Sequence, residues 1–119
     1  MRTLMLLALA GALGFAVGCK GDDDGGSEMD VDCDSDVPAY ADVKLFDTCT
    51  MCHSSKLSGT DRMEAPKNVN FDSESTAEAN ATMAVNEVMA GDMPPRDSGL
   101  KVTTAEKQAF YKWALCKDK

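Results

Sequence analysis

Aromatic side chains and basic charge are both scarce in this chain of 119 residues. Only 6% of the residues are aromatic, one Trp, two Tyr and four Phe, which is a small supply for a self-sufficient core. The 12 basic side chains are outnumbered by 20 acidic ones, so the net charge is −8. This balance excludes a nucleic-acid-binding protein with a basic surface. The length allows one small domain at most.

The chain also lacks an apolar run of the length that crosses a bilayer. Residues 4–17 form an apolar run of 14 residues, whereas a membrane-spanning helix needs about 20. The run follows Arg2 and leads through small residues into Cys19, which predicts a signal peptide over residues 1–18. The end of the run resembles a bacterial lipobox, and this resemblance implies that Cys19 is acylated. Ordinary signal cleavage is the alternative, and in both cases the chain is exported to a compartment where cysteines can be oxidised.

An acidic, disordered tether is predicted over residues 19–36. Residues 20–36 contain eight acidic side chains and one lysine, so they bury too little apolar surface to offset the entropy of ordering. The remaining domain, residues 37–119, contains 12 acidic and 10 basic side chains. The negative charge is therefore mainly a property of the tether.

The sequence Cys49-Thr50-Met51-Cys52-His53 is a C-x-x-C-H motif that contains the only histidine of the chain. Two residues between the cysteines place both sulfurs on one face of a short helical turn, where the thiols can add to the vinyl groups of a haem and form thioethers. His53 is then held under the iron as its proximal ligand. The motif predicts one covalently attached haem c, which would also complete a core that has few aromatic rings.

Other kinds of site use such cysteines. A thioredoxin-type dithiol follows a strand in a βαβ pattern, and no alternation of strands precedes Cys49. A structural zinc site requires four nitrogen or sulfur ligands, and Cys33 and Cys116 complete such a set only if both ends of the domain meet there. These two alternatives remain, as does a structural lipoprotein in which Cys49 and Cys52 form an ordinary disulfide.

Helical patterns predominate, and they predict an all-α fold with three main helices over residues 38–49, 75–90 and about 104–115. The second helix begins with a capping box of Ser75 and Glu78 and is followed by Gly91 at its carboxyl end. The third follows a capping box of Thr103 and Glu106. One face of the second helix is apolar and consists of Ala77, Ala81, Ala84, Val85 and Val88.

Residues 37–116 resemble a small class I cytochrome c. The resemblance rests on the C-x-x-C-H motif and on Gly91-Asp92-Met93-Pro94, which matches the G-x-M-P pattern of the family 40 residues after His53. It implies that Met93 is the distal ligand of the iron, with Met89 as the other candidate. The family also has a proline after the motif whose carbonyl accepts the proximal histidine Nδ1–H, and Pro66 matches it.

The resemblance also implies how the ends of the domain meet. The first and third helices cross in the family, with a small and a large apolar residue at the crossing. Ala41 and Leu45 match these, facing Phe110 and Trp113. Cys33 and Cys116 flank the two crossing helices, so a disulfide between them is predicted.

The function implied is that of a monomeric electron carrier and not of an enzyme. With His53 and Met93 both bound, the iron has no free position and exchanges single electrons by outer-sphere transfer. The expected partners are redox proteins at the membrane or in the periplasm, which basic residues flanking the site could steer: Lys56, Lys67, Arg96 and Lys101. The expected location is the periplasmic side of a bacterial membrane, inner or outer. A sensor or weak peroxidase, in which Met93 is labile, is the alternative.

Overall fold

The structure is a computed structural model that describes residues 31–119. The predicted signal peptide, Cys19 and the tether up to residue 30 lie outside the described residues. Within the described part there are three α-helices and no strand, which confirms the predicted all-α class for this range. The helices are α1 (Leu45–Cys49), α2 (Glu74–Ala90) and α3 (Thr104–Cys116), with 3₁₀ turns at Tyr40–Asp42, Gly59–Arg62 and Arg96–Ser98. None of the helices in this range is long and apolar enough to cross a bilayer.

The first helix is shorter than predicted. The backbone is extended at Ala39 and again at Val43, so only Leu45–Cys49 is α-helical. Val43 and Leu45 are both buried, yet in an unbroken helix these two side chains would point roughly 200° apart. The extended backbone at Val43 resolves this conflict. Ala41 is exposed, so its predicted position at a helix crossing is wrong.

The N-cap of helix α2 lies two residues before the predicted cap. Ser73 is the N-cap, with extended backbone and a side chain that accepts a hydrogen bond from the Thr76 N–H, so the predicted capping box of Ser75 and Glu78 is wrong. The reason lies upstream, because the chain is already fixed there by the Phe71 N–H, which donates to the His53 carbonyl at 2.9 Å. The predicted apolar face is confirmed, since all five of its residues are buried. Gly91 ends the helix with a φ of +78°, as its predicted position requires.

Helix α3 begins as predicted. The Thr103 hydroxyl accepts from the Glu106 N–H, and the Glu106 carboxylate accepts from the Thr103 N–H at 2.7 Å, which completes the capping box. The helix packs against α1 and α2. Lys117, just beyond its end, forms an ion pair of 3.0 Å with Glu78 of α2.

The core between α1 and α3 is a cluster of aromatic rings around Phe46. The Phe46 ring lies 4.9 Å from the Trp113 ring and 5.7 Å from the Phe110 ring, both edge to face. Phe71, from the loop before α2, stacks on Phe46 at 6.0 Å. Trp113 is 2% exposed and is core, as expected, but its partner from the first helix is Phe46. Leu45, which was expected to share that crossing, is fully buried and also lines the cavity described below.

Cys33 and Cys116 form a disulfide with a Cα–Cα distance of 5.3 Å, which confirms the predicted pairing. The bond joins the last residues of the predicted tether to the end of α3. Val31 packs against the core, and the Lys112 ammonium donates to the Ser35 hydroxyl. The described domain therefore includes residues 31–36, and the predicted boundary at residue 37 is too late.

Candidate cofactor site

A cavity of about 710 Å³ opens between α1, α2 and the loops that follow them. Its volume is within the range of cavities that hold organic ligands. Cys49, Cys52 and His53 line this cavity, and so does Met93 from the loop after α2. The fold thus brings these four predicted site residues together, and the fifth predicted cofactor-binding residue, Pro66, also lines the cavity. His53 and Met93 are 40 positions apart in the chain.

Most of the other lining residues are apolar. Leu45 and Phe71 belong to the core as well as to the cavity, so the cavity wall and the aromatic cluster are continuous. The remaining apolar contributors come from α2 and the loops on either side of it: Met63, Ala65, Pro66, Val69, Met83, Ala84, Val88, Pro94, Pro95, Leu100 and Val102.

His53 is half-buried and held by backbone groups. Its Nδ1 lies 3.1 Å from the carbonyl oxygen of Val69, and its ring meets the Phe71 ring edge to face at 5.6 Å. A carbonyl only accepts, so Nδ1 carries the proton and Nε2 keeps the free lone pair. Burial lowers the pKa of His53 below its usual value, and the Arg62 charge lowers it further, against the opposing Val69 hydrogen bond. The ring is therefore neutral at pH 7 and able to bind a metal.

The prediction for Pro66 is wrong in its detail. Pro66 lines the cavity, but its carbonyl accepts from the Arg62 guanidinium at 2.6 Å, and the acceptor for His53 is the carbonyl of Val69. The physical reason is the left-handed backbone at Met63 and Glu64 followed by a turn in which the Val69 N–H bonds to the Pro66 carbonyl at 3.1 Å. That turn brings the Val69 carbonyl, and not the Pro66 carbonyl, to the ring.

Cys49 and Cys52 are both free thiols at the end of α1, one half-buried and one buried. Burial raises the pKa of the Cys49 thiol to about 12, and the neighbouring Cys52 adds to this shift. Catalytic dithiols have lowered thiol pKa values, so this environment is unlike theirs. The Cys52 sulfur lies 3.4 Å from the sulfur of Met63.

Met93 is placed by the end of α2. The left-handed turn at Gly91 lets the N–H groups of Asp92 and Met93 both bond to the Glu87 carbonyl, at 3.0 and 3.2 Å. The Met93 side chain is half-buried and packs against the core. Its backbone is thus fixed next to the cavity, as a metal ligand requires.

Two other methionines line the cavity and one predicted candidate does not. Met89, the second candidate for the distal sulfur, is 44% exposed and does not line the cavity. Met63 and Met83 do line it, at 56% and 43% exposure. Neither was predicted as a ligand, because the place of Met63 in a loop and of Met83 in α2 does not show which side chain faces a cavity.

The residues present fit a haem in their donor chemistry. Two thiols, a neutral imidazole and a thioether surround an apolar space, which is the set that covalent attachment and axial ligation of a haem need. Charge fits less closely, because the lining contributed by residues 31–119 includes Glu64, Glu87 and Asp97 and no lysine or arginine. The acid groups of a haem would find no basic partner in this wall.

A structural zinc site is contradicted by the disulfide. Cys33 and Cys116, the two ligands that such a site would need, are bonded to each other. Across residues 31–119 no group of three or more His, Cys, Asp or Glu side chains gathers as a metal site. A haem iron with one imidazole and one thioether ligand does not require such a group.

Comparisons with protein-family models, with curated proteins and with solved structures found no significant match. The resemblance to class I cytochromes c therefore rests on the sequence motifs of this chain.

Proposed function

We propose that this protein is an exported monohaem c-type cytochrome that carries single electrons between redox partners by outer-sphere transfer. Cys49 and Cys52 would hold one haem c by thioether bonds, and His53 and Met93 would supply the two protein ligands of its iron. The protein is a carrier and not an enzyme. Acylated Cys19 tethers it to the periplasmic side of a bacterial membrane, where its partners are membrane-bound or periplasmic redox proteins.

One observation carries this proposal. Cys49, Cys52, His53 and Met93 line the same apolar cavity although they come from two separate segments. The C-x-x-C-H motif alone also suits a disulfide, but a disulfide needs neither a neutral histidine with a free Nε2 nor a methionine on the same cavity. The motif and the cavity together favour a bound haem.

Different residues of the chain would orient the iron ligands and exclude water from the site. When bound, haem supplies an iron that takes up and releases one electron. The Val69 carbonyl fixes the tautomer and orientation of His53, and the Glu87 carbonyl fixes the backbone of Met93. Apolar walls that include Leu45 and Phe71 exclude water, so little solvent has to reorganise when the charge of the site changes. A thioether ligand in a buried site favours the ferrous state and raises the potential.

The test is the optical spectrum of the exported protein. The chain is expressed in a host that attaches haem c, and oxidised and reduced spectra are recorded for the wild type and for Met93→Ala. We expect a c-type spectrum with the weak sulfur-to-iron band in the oxidised wild type and loss of this band in Met93→Ala.

Met83→Ala is the matched control, because Met83 is a methionine on the same cavity but on α2. It should keep the band. A band lost in Met83→Ala and kept in Met93→Ala would reassign the distal ligand. A wild-type spectrum without the band that shifts on addition of cyanide or carbon monoxide would favour the ligand-binding alternative, a sensor or weak peroxidase. A colourless, folded wild type would refute the haem itself.

A further inference from the structure

Arg62 is a buried cation beside the segment that carries His53. It ends the 3₁₀ turn Gly59–Arg62 and is only 3% exposed. Arginine is almost never fully buried unless it is paired, so this placement calls for a physical reason. Sequence reasoning treated the segment as an ordinary loop.

All five N–H donors of the Arg62 guanidinium are used, and every acceptor is neutral. The acceptors are the carbonyls of Ala65 (3.2 Å), Ser54 (2.5 Å), Pro66 (2.6 Å) and Val69 (3.1 Å) and the Asn70 side-chain oxygen (3.1 Å). No carboxylate of residues 31–119 forms an ion pair with Arg62. The positive charge is therefore solvated by backbone dipoles and not cancelled by an anion.

Two of these hydrogen bonds connect Arg62 to the surroundings of His53. The Val69 carbonyl oxygen accepts from both side chains, because the Arg62 Nη2 lies 3.1 Å from it and the His53 Nδ1 also lies 3.1 Å from it. Ser54, the next residue after His53, gives its carbonyl to the Nη1 of the same guanidinium. Arg62 thus ties the segment that carries the imidazole to the segment that carries its acceptor.

We propose that Arg62 is a positioning residue for His53 and that its uncancelled charge raises the reduction potential of the iron; this inference rests on the proposed function. Reduction moves one electron from a donor protein to the site and lowers the charge of the site by one. A fixed positive charge nearby favours that product.

Asn70→Asp tests the charge and keeps an acceptor for Arg62, although it removes the bond that the Asn70 side-chain N–H donates to the Lys67 carbonyl at 3.0 Å. The new carboxylate keeps an acceptor next to Nη1 and cancels the Arg62 charge. We expect the equilibrium constant for reduction of the full-length holoprotein to fall about tenfold at pH 7, which is about 59 mV for one electron. Asn68→Asp is the control, because Asn68 is exposed in the same loop and solvent screens the negative charge that the substitution introduces there. It should change the constant less than twofold.

Arg62→Gln tests the same charge by removing it, with Lys44→Gln as its control, because Lys44 is exposed and does not line the cavity. Arg62→Gln should lower the constant about as much as Asn70→Asp, and hydrogen exchange at the His53 Nδ1–H, followed by NMR, should become faster because the segments of His53 and Val69 are no longer tied together. Lys44→Gln should leave both measurements close to the wild type.

The inference is overturned if Asn70→Asp changes the constant no more than Asn68→Asp does. That comparison decides the matter even if Arg62→Gln does not fold. A wild-type chain that carries no haem would overturn the proposed function and this inference with it, whereas a coloured wild type with an unaffected Asn70→Asp potential would overturn this inference alone.

Discussion

Replacing Cys33 and Cys116 together by alanine removes the disulfide that joins the start of the described domain to the end of α3. The two cysteines are 83 positions apart. For a loop of that size the chain-entropy model gives a stabilisation of at most about 4.5 kcal/mol at 25 °C, because the cross-link restricts the unfolded chain. The free energy of unfolding of a small domain is roughly 5–15 kcal/mol in total, so the variant should still fold but with a small margin of stability.

Alanine is the right replacement because Cys116 is 2% exposed. A serine there would bury a hydroxyl, and the cost of an unpaired hydroxyl would be counted as loss of the cross-link. The variant and the oxidised wild type are compared by urea unfolding, followed by circular dichroism. We expect a lower midpoint and a steeper dependence on urea, since an unfolded chain without the cross-link expands and exposes more surface.

Lys112→Ala is the control for this prediction. It removes the contact between Lys112 and Ser35 across the same junction while the disulfide stays intact. An exposed contact of this kind should contribute less than about 0.5 kcal/mol. The reasoning is refuted if the double alanine variant unfolds with the wild-type midpoint and slope, or if Lys112→Ala loses as much stability as the double alanine variant.

Two further predictions concern the core and the loop before α2. Phe46→Ala should cost about 3–5 kcal/mol in urea unfolding, because it empties the centre of the aromatic cluster; Leu115→Ala, at an exposed position of α3, should cost far less, and equal losses would contradict the packing described. The hydroxyl and the backbone N–H of Ser55 both donate to the Asp72 carboxylate and hold its pKa below the usual 3.8. The stabilisation of the fold by ionised Asp72 is therefore present above about pH 3.8 and is lost as the pH falls through the lowered pKa of the folded state. Asp72→Asn keeps an acceptor for Ser55, and its urea midpoint should therefore lie below that of the wild type at pH 7 and approach it at pH 2; the same gap at both pH values would show that the charge is not involved.

The two long helices could be predicted because their signals are local. A capping box such as Thr103 with Glu106 needs only four consecutive residues. A glycine such as Gly91 predicts a helix end by itself, because it adopts the left-handed backbone there without strain. The cap of α2 was misplaced because two serines stand near its start. The choice of Ser73 over Ser75 depends on how Phe71 is fixed to His53, which is a contact between distant segments.

The acceptor for His53 could not be predicted in the same way. Every residue has a carbonyl, so neither the type of Pro66 nor that of Val69 indicates which oxygen reaches the ring. The burial of Arg62 is equally hidden, because an arginine between polar residues has the pattern of an exposed loop. Only the turn that gathers its five acceptors makes the position suitable for a buried charge.

The shortage of aromatic rings and the cavity are connected through the packing. The rings of this small domain are concentrated on one side, where Phe46 joins α1 to α3. On the other side, Leu45 and Phe71 have one surface in the core and another on the cavity wall, so whatever fills the cavity packs directly on the core. A group that binds the folded chain there stabilises it by mass action, and a covalent bond to Cys49 and Cys52 would make that stabilisation permanent. Binding of the proposed haem and stability of the fold would therefore depend on the same residues, Leu45 and Phe71.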